Sequence, residues 1–246
     1  MRDISEYINR YQGKIAAIFG AGQSLLEVES SWFDGTYKIA LNSALDWRDD
    51  LNAVFFTDWN IPNSKFKREY AYYQKALADK KLTKFLLSGY FKSDINRPDV
   101  VPFICGAKEF KRLYTGQLMG GASVLMPVLH FCFIAGFKYI LLSGCDYAIM
   151  KNGKNEYQTH WYGNVGYGFK IKDSFNPAKG WEVKAPNEEK VIVTTALNKQ
   201  MMKLMPRIRQ MQDSEIKIFK TSTRGMMDIP YLNEFEIKEL CNSLKK

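Results

Sequence analysis

The sequence lacks the features that mark several classes of protein. No apolar run approaches the ~20 residues that a membrane-spanning helix needs. The amino-terminal stretch has no apolar core of the kind found in secretory signal peptides, so we expect a cytoplasmic protein. The chain also has no internal repeat and no run of linker composition. These absences predict that residues 1–246 form one domain.

Residues that bind metals or form disulfides are scarce. The chain has four cysteines and two histidines among its 246 residues. The cysteines follow no metal-ligand spacing and most stand in apolar segments, so buried free thiols are the simpler interpretation. They are Cys105, Cys132, Cys145 and Cys241. With two histidines in the whole chain, few positions can supply a histidine general base.

Positive charge exceeds negative charge. Lysine and arginine number 35 against 26 aspartates and glutamates, which gives a formal net charge of +9. Such an excess favours an anionic partner, for example nucleic acid, an acidic glycan or a phosphorylated substrate. Because the basic residues are spread along the chain, solvated helix faces explain the pattern as well as a binding surface does.

The segment from Lys14 to Leu26 predicts a strand that ends in a glycine-rich turn. An apolar run, Ile15–Phe19, leads into the turn, and a helix is predicted after it. Such a turn gathers backbone N–H groups at the positive end of a helix dipole, which suits a phosphate. A plain tight turn has the same pattern, so both interpretations stay open. The residues concerned are Gly20, Gly22, Gln23 and Ser24.

Polar residues also follow the next two predicted strands, Tyr37–Leu41 and Ala53–Phe56. The carboxyl ends of parallel strands lie along one edge of a sheet, and ligands of open α/β sheets bind in the crevice there. The pattern therefore predicts a parallel sheet whose carboxyl ends share one crevice. For the whole chain, including the segments below, we expect an α/β fold: a Rossmann-like, mostly parallel sheet with helices on both faces and a long lid-like insertion. The residues at these two strand ends are Asn42, Ser43, Thr57 and Asp58.

A second glycine-containing segment precedes an apolar helix predicted over residues 122–135. A nearly all-apolar strand, Tyr139–Leu142, follows and again ends in small and polar residues. Small residues beside a helix start permit close approach of a ligand, and a serine there can cap the helix. The candidate ligand-binding residues of this block are Gly120, Gly121, Ser123, Asp146 and Tyr147.

Residues 150–190 predict a long insertion, interpreted as a lid over the crevice. It contains His160 in a polar, aromatic segment, which makes His160 the best candidate for a general base. The other histidine, His130, falls inside the apolar helix and is interpreted as a core residue.

Prolines mark two further predictions. Two of them predict a loop over residues 93–103, and Pro206 predicts an interruption of a helix that spans residues 194–211.

The series of motifs resembles the bacterial lipooligosaccharide sialyltransferases. Its blocks read FGAGQSL, ALNSAL, FFTDW, the stretch from Gly120 to Ala148, and THWYG. In that family the corresponding turn, strand end and helix start hold the CMP-sugar, and the general base lies in a segment that Thr159–Gly163 matches. The series is also similar to a wider superfamily of Maf-type flagellin-modifying proteins, archaeal hydroxymethylpterin pyrophosphokinases and phage-encoded relatives.

The resemblance implies a glycosyltransferase without a metal or other cofactor. His160 would deprotonate the hydroxyl of an acceptor, while Tyr157 and Tyr162 would hydrogen-bond the leaving phosphate. The strand-end residues would hold a nucleotide-sugar. The implied acceptor is a glycan or a hydroxylated base in DNA of phage type, and a homo-oligomer is left open.

Two other interpretations stay open. In the first, the chain transfers pyrophosphate from ATP to a pterin-like alcohol, with Asp58 and Asp146 holding Mg²⁺. In the second, the crevice has no catalytic role, and the chain is a module that binds nucleotides or nucleic acid. Dependence on a metal separates the two enzymatic interpretations, and turnover of any donor separates both from the third.

Overall fold

A parallel β-sheet forms the centre of the fold. The computed structural model describes residues 2–57, 67–112, 114–121, 123–151, 157–158 and 180–244. The strands within these residues are β1 Ile15–Phe19, β2 Tyr37–Leu41, β3 Ala53–Phe56, β4 Thr83–Leu87, β5 Val100–Phe103, β6 Tyr139–Ser143, β7 Met150–Lys151, β8 Tyr157–Gln158, β9 Gly180–Lys184, β10 Lys190–Thr194 and β11 Lys217–Lys220.

Seven of these strands make the main sheet, in the order β11-β6-β1-β2-β3-β4-β5, and each pairs in parallel with its neighbours. The chain builds the sheet outward from β1 to β5 and then returns to the other side of β1 to form β6. Ile18 of β1 is thus in register with Ile39 on one side and with Leu142 on the other. This reversal between β1 and β6 is a topological switch point, where ligands of open α/β sheets bind.

Helices cover both faces of the sheet, as the sequence predicted. They are α1 Lys67–Ala78, α2 Leu125–Ala135, α3 Thr195–Asp213 and α4 Glu234–Ser243. Apolar side chains of α2 and α3 pack on one face, and those of α1 and α4 on the other. Both sides of each central strand are therefore buried, which explains the continuous apolar runs. No helix among the described residues is both long and apolar enough to span a membrane.

The structure corrects three predictions of secondary structure. The stretch predicted as a loop over residues 93–103 contains β5, whose Pro102 is tolerated because β5 is an edge strand. Helix α3 continues through Pro206 without interruption. The glycine turn after β1 leads into a short 3-10 helix, Gln23–Glu27, and not into an α-helix.

The described parts of the predicted insertion are strands. β7 pairs antiparallel with β8, and β9 pairs antiparallel with β10. Reciprocal backbone hydrogen bonds of 2.8 and 2.9 Å join Ile149 to Ile192 of β10. β10 runs directly into α3, because Thr194 ends the strand and caps the helix. Residues 185–189 form the turn between β9 and β10, and residues 152–156 and 159–179 lie outside the described residues.

Candidate functional site

A cavity of about 540 Å³ opens at the topological switch point. The residues that follow β1, β2 and β6 form its floor, and the amino-terminal ends of α2 and α3 form its walls. The sequence-predicted residues that line this cavity are Gly20, Gly22, Asn42, Ser43, Ser123, Asp146 and Tyr147. The fold therefore brings together residues from all three of the predicted strand ends nearest the switch point.

Other predicted residues lie elsewhere or beyond the described part of the chain. Five are described but do not line the cavity: Gln23, Ser24, Thr57, Gly120 and Gly121. Asp58, His160 and Tyr162 lie outside the described residues, as does the side chain of Tyr157, whose backbone belongs to β8. The structure thus leaves the proposed general base and its tyrosines as predictions from the sequence.

Asp146 forms the base of the cavity beside the glycine turn. Its carboxylate accepts a hydrogen bond from the Ser24 backbone N–H at 3.0 Å and another from the Ser24 hydroxyl. The same hydroxyl accepts a hydrogen bond from the backbone N–H of Gly144 at 3.2 Å. Burial raises the pKa of Asp146 to about 6, although the hydrogen bonds from Ser24 oppose that rise. Ser24 therefore acts on the site through Asp146.

The packing of Asp146 also explains why residue 22 is glycine. A Cβ atom added to Gly22 would lie 2.6 Å from Cγ of Asp146 and 2.7 Å from the carbonyl oxygen of Gly144. Gly120 similarly leaves room for Cys105, whose Cβ would be 2.9 Å away. At both positions the protein's own atoms account for the missing side chain, whereas the sequence pattern suggested the approach of a ligand.

We expect Gly22→Ala to lower the free energy of unfolding by about 1–3 kcal/mol, because overpacking against closely placed neighbouring atoms costs about this much. Urea denaturation would measure the change. Gly89→Ala is the matched control, since no heavy atom lies within 4 Å of a Cβ added there. Equal stability of the two variants would contradict the assigned role of Gly22.

Two residues other than glycine that line the cavity have a left-handed backbone. Asn42 has a φ of 49° and Tyr147 a φ of 51°, a conformation that residues other than glycine seldom adopt. The Tyr147 hydroxyl lies 2.6 Å from Ser123 Oγ, and that oxygen accepts a hydrogen bond from the N–H of Leu125 at the start of α2. Such backbone strain concentrates at functional sites.

Asn42 has an unused hydrogen-bond acceptor. Its Oδ1 is one of two buried side-chain polar atoms without a hydrogen-bond partner within the described ranges, the other being Trp32 Nε1. A buried acceptor that stays unpaired costs about 1–3 kcal/mol. Asn42 lines the cavity while this oxygen itself is shielded from solvent, so a ligand N–H or O–H group would supply the missing donor once the side chain turns toward the cavity.

The start of α3 is a part of the cavity that the sequence reasoning missed. Thr194 caps the helix by accepting a hydrogen bond from the N–H of Leu197 at 3.2 Å. The signal was present in the sequence, where a threonine pair follows an apolar strand and precedes a helical pattern. The cavity residues contributed by this segment are Thr194, Thr195, Ala196, Leu197 and Gln200.

The electrostatics of the cavity favour an anionic ligand on two of its sides. The amino-terminal ends of α2 and α3 both face it, and each carries the partial positive charge of a helix dipole. Asp146 is the acidic residue among the described lining, and its carboxylate is occupied by Ser24. The cavity can therefore hold a phosphate against the helix ends while polar side chains contact the rest of a ligand.

The fold resembles that of a Maf glycosyltransferase. The structure of the protein from Magnetospirillum magneticum AMB-1 aligns over 98% of this chain with a TM-score of 0.65 and 15% sequence identity. The chain spans 40% of that protein's length. The likeness confirms, for the fold, the resemblance to Maf-type proteins that the motifs indicated.

Two structures of the sialyltransferase CstII from Campylobacter jejuni align less well. One is a complex with the substrate analogue cytidine-5'-monophosphate, and the other is a complex with the substrate analogue CMP-3FNeuAc. Each has a TM-score of 0.48. The first has 14% sequence identity and aligns over 92% of this chain and 87% of CstII. The second has 15% sequence identity and aligns over 91% of this chain and 88% of CstII. No protein-family model and no curated protein sequence matches the chain.

His130 is a core residue with both ring nitrogens occupied, as predicted. Nδ1 accepts a hydrogen bond from the Met119 N–H at 2.8 Å, and Nε2 lies 2.8 Å from the Lys111 carbonyl oxygen. This pairing corresponds to the neutral tautomer with its proton on Nε2. Burial lowers the pKa of His130, which further favours the neutral ring. His130 is therefore unsuited to act on a ligand in the cavity.

The described residues give limited support to a magnesium site. No group of three or more His, Cys, Asp or Glu side chains with the arrangement of a metal site occurs among them. In the pyrophosphokinase interpretation Asp58 and Asp146 hold Mg²⁺. Asp58 lies outside the described residues, and both carboxylate oxygens of Asp146 accept hydrogen bonds from Ser24.

Proposed function

We propose that the chain is a glycosyltransferase that binds a nucleotide-sugar in the switch-point cavity. The observation that carries the proposal is a cavity that two helix amino termini face and that is lined by Asn42, whose side-chain oxygen has no hydrogen-bond partner among the described residues. A nucleotide-sugar has both complementary features, because its phosphates are anionic and its base and sugars present N–H and O–H donors. The fold likeness to a Maf glycosyltransferase agrees with this function without establishing it.

In this proposal the described residues hold the donor. The starts of α2 and α3 face the phosphate groups, and the hydroxyl side chains at those helix starts are Ser123, Thr194 and Thr195. Asn42 accepts a hydrogen bond from the base or the sugar. Hydrogen-bond donors and helix dipoles fixed in a shielded cavity stabilise the charge that develops on the leaving phosphate.

The transfer itself is assigned to residues of the insertion. His160 takes the proton of an acceptor hydroxyl, whose oxygen attacks the anomeric carbon of the sugar. The bond from that carbon to the phosphate oxygen breaks, and the nucleotide departs with the bonding electrons. Tyr157 and Tyr162 hydrogen-bond the departing phosphate. The acceptor is a glycan or a hydroxylated base in DNA.

Asn42→Gly tests the donor site. Glycine adopts a left-handed backbone without strain, so this variant removes the acceptor oxygen and keeps the local conformation. We expect about tenfold weaker nucleotide binding, which corresponds to about 1.4 kcal/mol and to the loss of one hydrogen bond. Isothermal titration with a panel of nucleoside mono- and diphosphates and nucleotide-sugars would identify the ligand and measure this change.

Asn9→Gly is the matched control, because Asn9 has a φ of 54° and is not a cavity residue. It should bind the same nucleotide with unchanged affinity. Wild-type protein that binds no nucleotide of the panel would refute the proposed function. Turnover that requires Mg²⁺ and produces a pyrophosphorylated alcohol would instead support the pyrophosphokinase interpretation.

A further inference from the structure

Helix α3 carries an excess of positive charge on its solvent side. It contains four basic residues and one acidic residue, Asp213, which is its last residue. Lys199 and Lys203 are exposed, and Arg207 is half-buried. Cations near the amino-terminal half of a helix gain nothing from its dipole, which favours anions there. The placement of Lys199 and Lys203 therefore gains no stability from the helix dipole.

The basic residues continue a row that begins in the cavity. Ala196 and Gln200 line the cavity, and Lys203 and Arg207 follow them at offsets of seven and eleven residues from Ala196. Residues at such offsets lie on the same side of an α-helix. With a rise of 1.5 Å per residue, Arg207 stands roughly 16 Å beyond Ala196. We call Lys199, Lys203 and Arg207 the α3 basic row.

A neighbouring loop extends this positive surface past the end of the helix. The Gln210 side chain donates a hydrogen bond to the Phe110 carbonyl oxygen at 3.0 Å, which holds the loop against α3. Arg112 of the same loop reaches the carbonyl oxygen of Ser214, 3.4 Å away, at the carboxyl end of the helix. The exposed Lys108 stands in this loop as well. The positive surface thus runs along the helix from the cavity mouth to its far end.

The α3 basic row has no acidic partners within the described part of the chain. None of its three members takes part in an ion pair there. Arg207 donates a hydrogen bond to the amide oxygen of Gln210 at 3.1 Å, which leaves its charge uncompensated. Lys84 and Arg224, in contrast, are paired with carboxylates. These cations are therefore free to neutralise an anionic partner.

We propose that the α3 basic row binds the phosphodiester backbone of a double-stranded nucleic acid, the acceptor of the transfer. This assignment rests on the proposed function, since it takes the cavity as the donor site. Lysine, arginine and glutamine are residue types that contact phosphates, and arginine can do so through two hydrogen bonds. Helix α3 contains no aromatic residue on which unpaired bases would stack, so a duplex fits better than a single strand.

The test measures binding of a short fluorescein-labelled DNA duplex by fluorescence anisotropy over a range of salt concentrations. The row variant combines Lys199→Gln, Lys203→Gln and Arg207→Gln. The control variant combines Lys14→Gln, Lys138→Gln and Lys217→Gln. It removes the same charge from three residues that lie side by side at the amino-terminal ends of β1, β6 and β11. Neither variant changes a residue that lines the cavity.

We expect the row variant to bind the duplex at least about tenfold more weakly, with a salt slope lower by about 0.9 for each phosphate that the variant no longer neutralises. The control variant should keep the wild-type affinity and slope. An equal fall in affinity in both variants would overturn the proposal, because binding would then follow net charge alone. The proposal also fails if the wild type does not bind the duplex. A sulfated glycan serves as a competitor for the labelled duplex, and the proposal fails as well if the α3 basic row binds this glycan in preference to DNA.

Nucleotide titrations of the same two variants separate this proposal from the proposed function. Both variants should bind the nucleotide as the wild type does. Nucleotide binding without duplex binding refutes the nucleic-acid surface and leaves the donor site intact. Duplex binding that depends on the row, in a protein that binds no nucleotide, refutes the donor site and with it the assignment of the duplex as an acceptor.

Discussion

Replacing His160 with alanine should lower the turnover of the transfer reaction by about 10²–10⁴, the usual contribution of a general base. The affinity for the donor should stay within a few-fold, since His160 is assigned to the acceptor hydroxyl. The wild-type rate should also fall as pH drops through the pKa of the imidazole, about 6.5 in the absence of a perturbing environment. Steady-state kinetics with the nucleotide-sugar found by titration, at several pH values, would measure both effects.

His130→Gln is the control for this experiment, because it changes the other histidine of the chain. His130 has hydrogen-bond partners on both ring nitrogens inside the core. Its replacement should lower the free energy of unfolding and leave the turnover of the folded protein close to that of the wild type. A folded His160→Ala variant with normal turnover would place the base elsewhere, with Asp58 and Asp146 as the next candidates.

The Asp146→Asn variant should gain stability relative to the wild type as pH rises from about 4 to about 7. Burial raises the pKa of the Asp146 carboxyl from 3.8 to about 6, so the folded state favours its neutral form. The neutral carboxyl therefore stabilises the folded protein fully below pH 3.8, the ordinary pKa of the group. This stabilisation is lost as pH rises through about 6, the pKa of the group in the folded state. This change corresponds to roughly 3 kcal/mol, an upper limit for the difference that urea denaturation across this pH range would measure.

Asp50→Asn provides a comparison of the opposite sign. A hydrogen bond from Arg48 lowers the pKa of Asp50 to about 2, with a further contribution from Lys38. Its stabilisation is therefore present above the ordinary pKa of 3.8 and is lost as pH falls through 2. This variant should be less stable than the wild type at neutral pH. A pH-independent difference between Asp146→Asn and the wild type would contradict the buried, raised-pKa state of Asp146.

The central strands were predictable because their burial leaves a simple pattern. β1, β2 and β3 begin and end at the predicted residues, since each is an apolar run closed by small or polar residues. β5 was missed because Pro102 counts against a strand, and the sequence does not show that β5 lies at the sheet edge. The effect of Pro206 was overestimated for a similar reason, because tertiary packing held α3 together around it.

The candidate site was only partly predictable because local patterns do not reveal which atoms face each other. The glycine motif correctly marked the switch point, yet the space beside Gly22 is filled by Asp146, a residue far away in sequence. Ser24, also predicted at the ligand, donates a hydrogen bond to that carboxylate. The start of α3 was predicted to within one residue, but a helix start in the sequence does not show which cavity it faces. Placing it in the cavity requires the path of the whole insertion.

The position of β1 has a consequence for how the protein folds. β1 lies between β2, which follows it closely in sequence, and β6, which the chain reaches only after four other strands. Ser24 and Asp146, which join the ends of β1 and β6, are separated by 122 residues. Contacts between such distant residues slow folding, because a long loop must close before they form. During synthesis, the backbone N–H and C=O groups along one edge of β1 therefore stay unpaired until β6 has left the ribosome, and an exposed edge of this kind can pair with other chains.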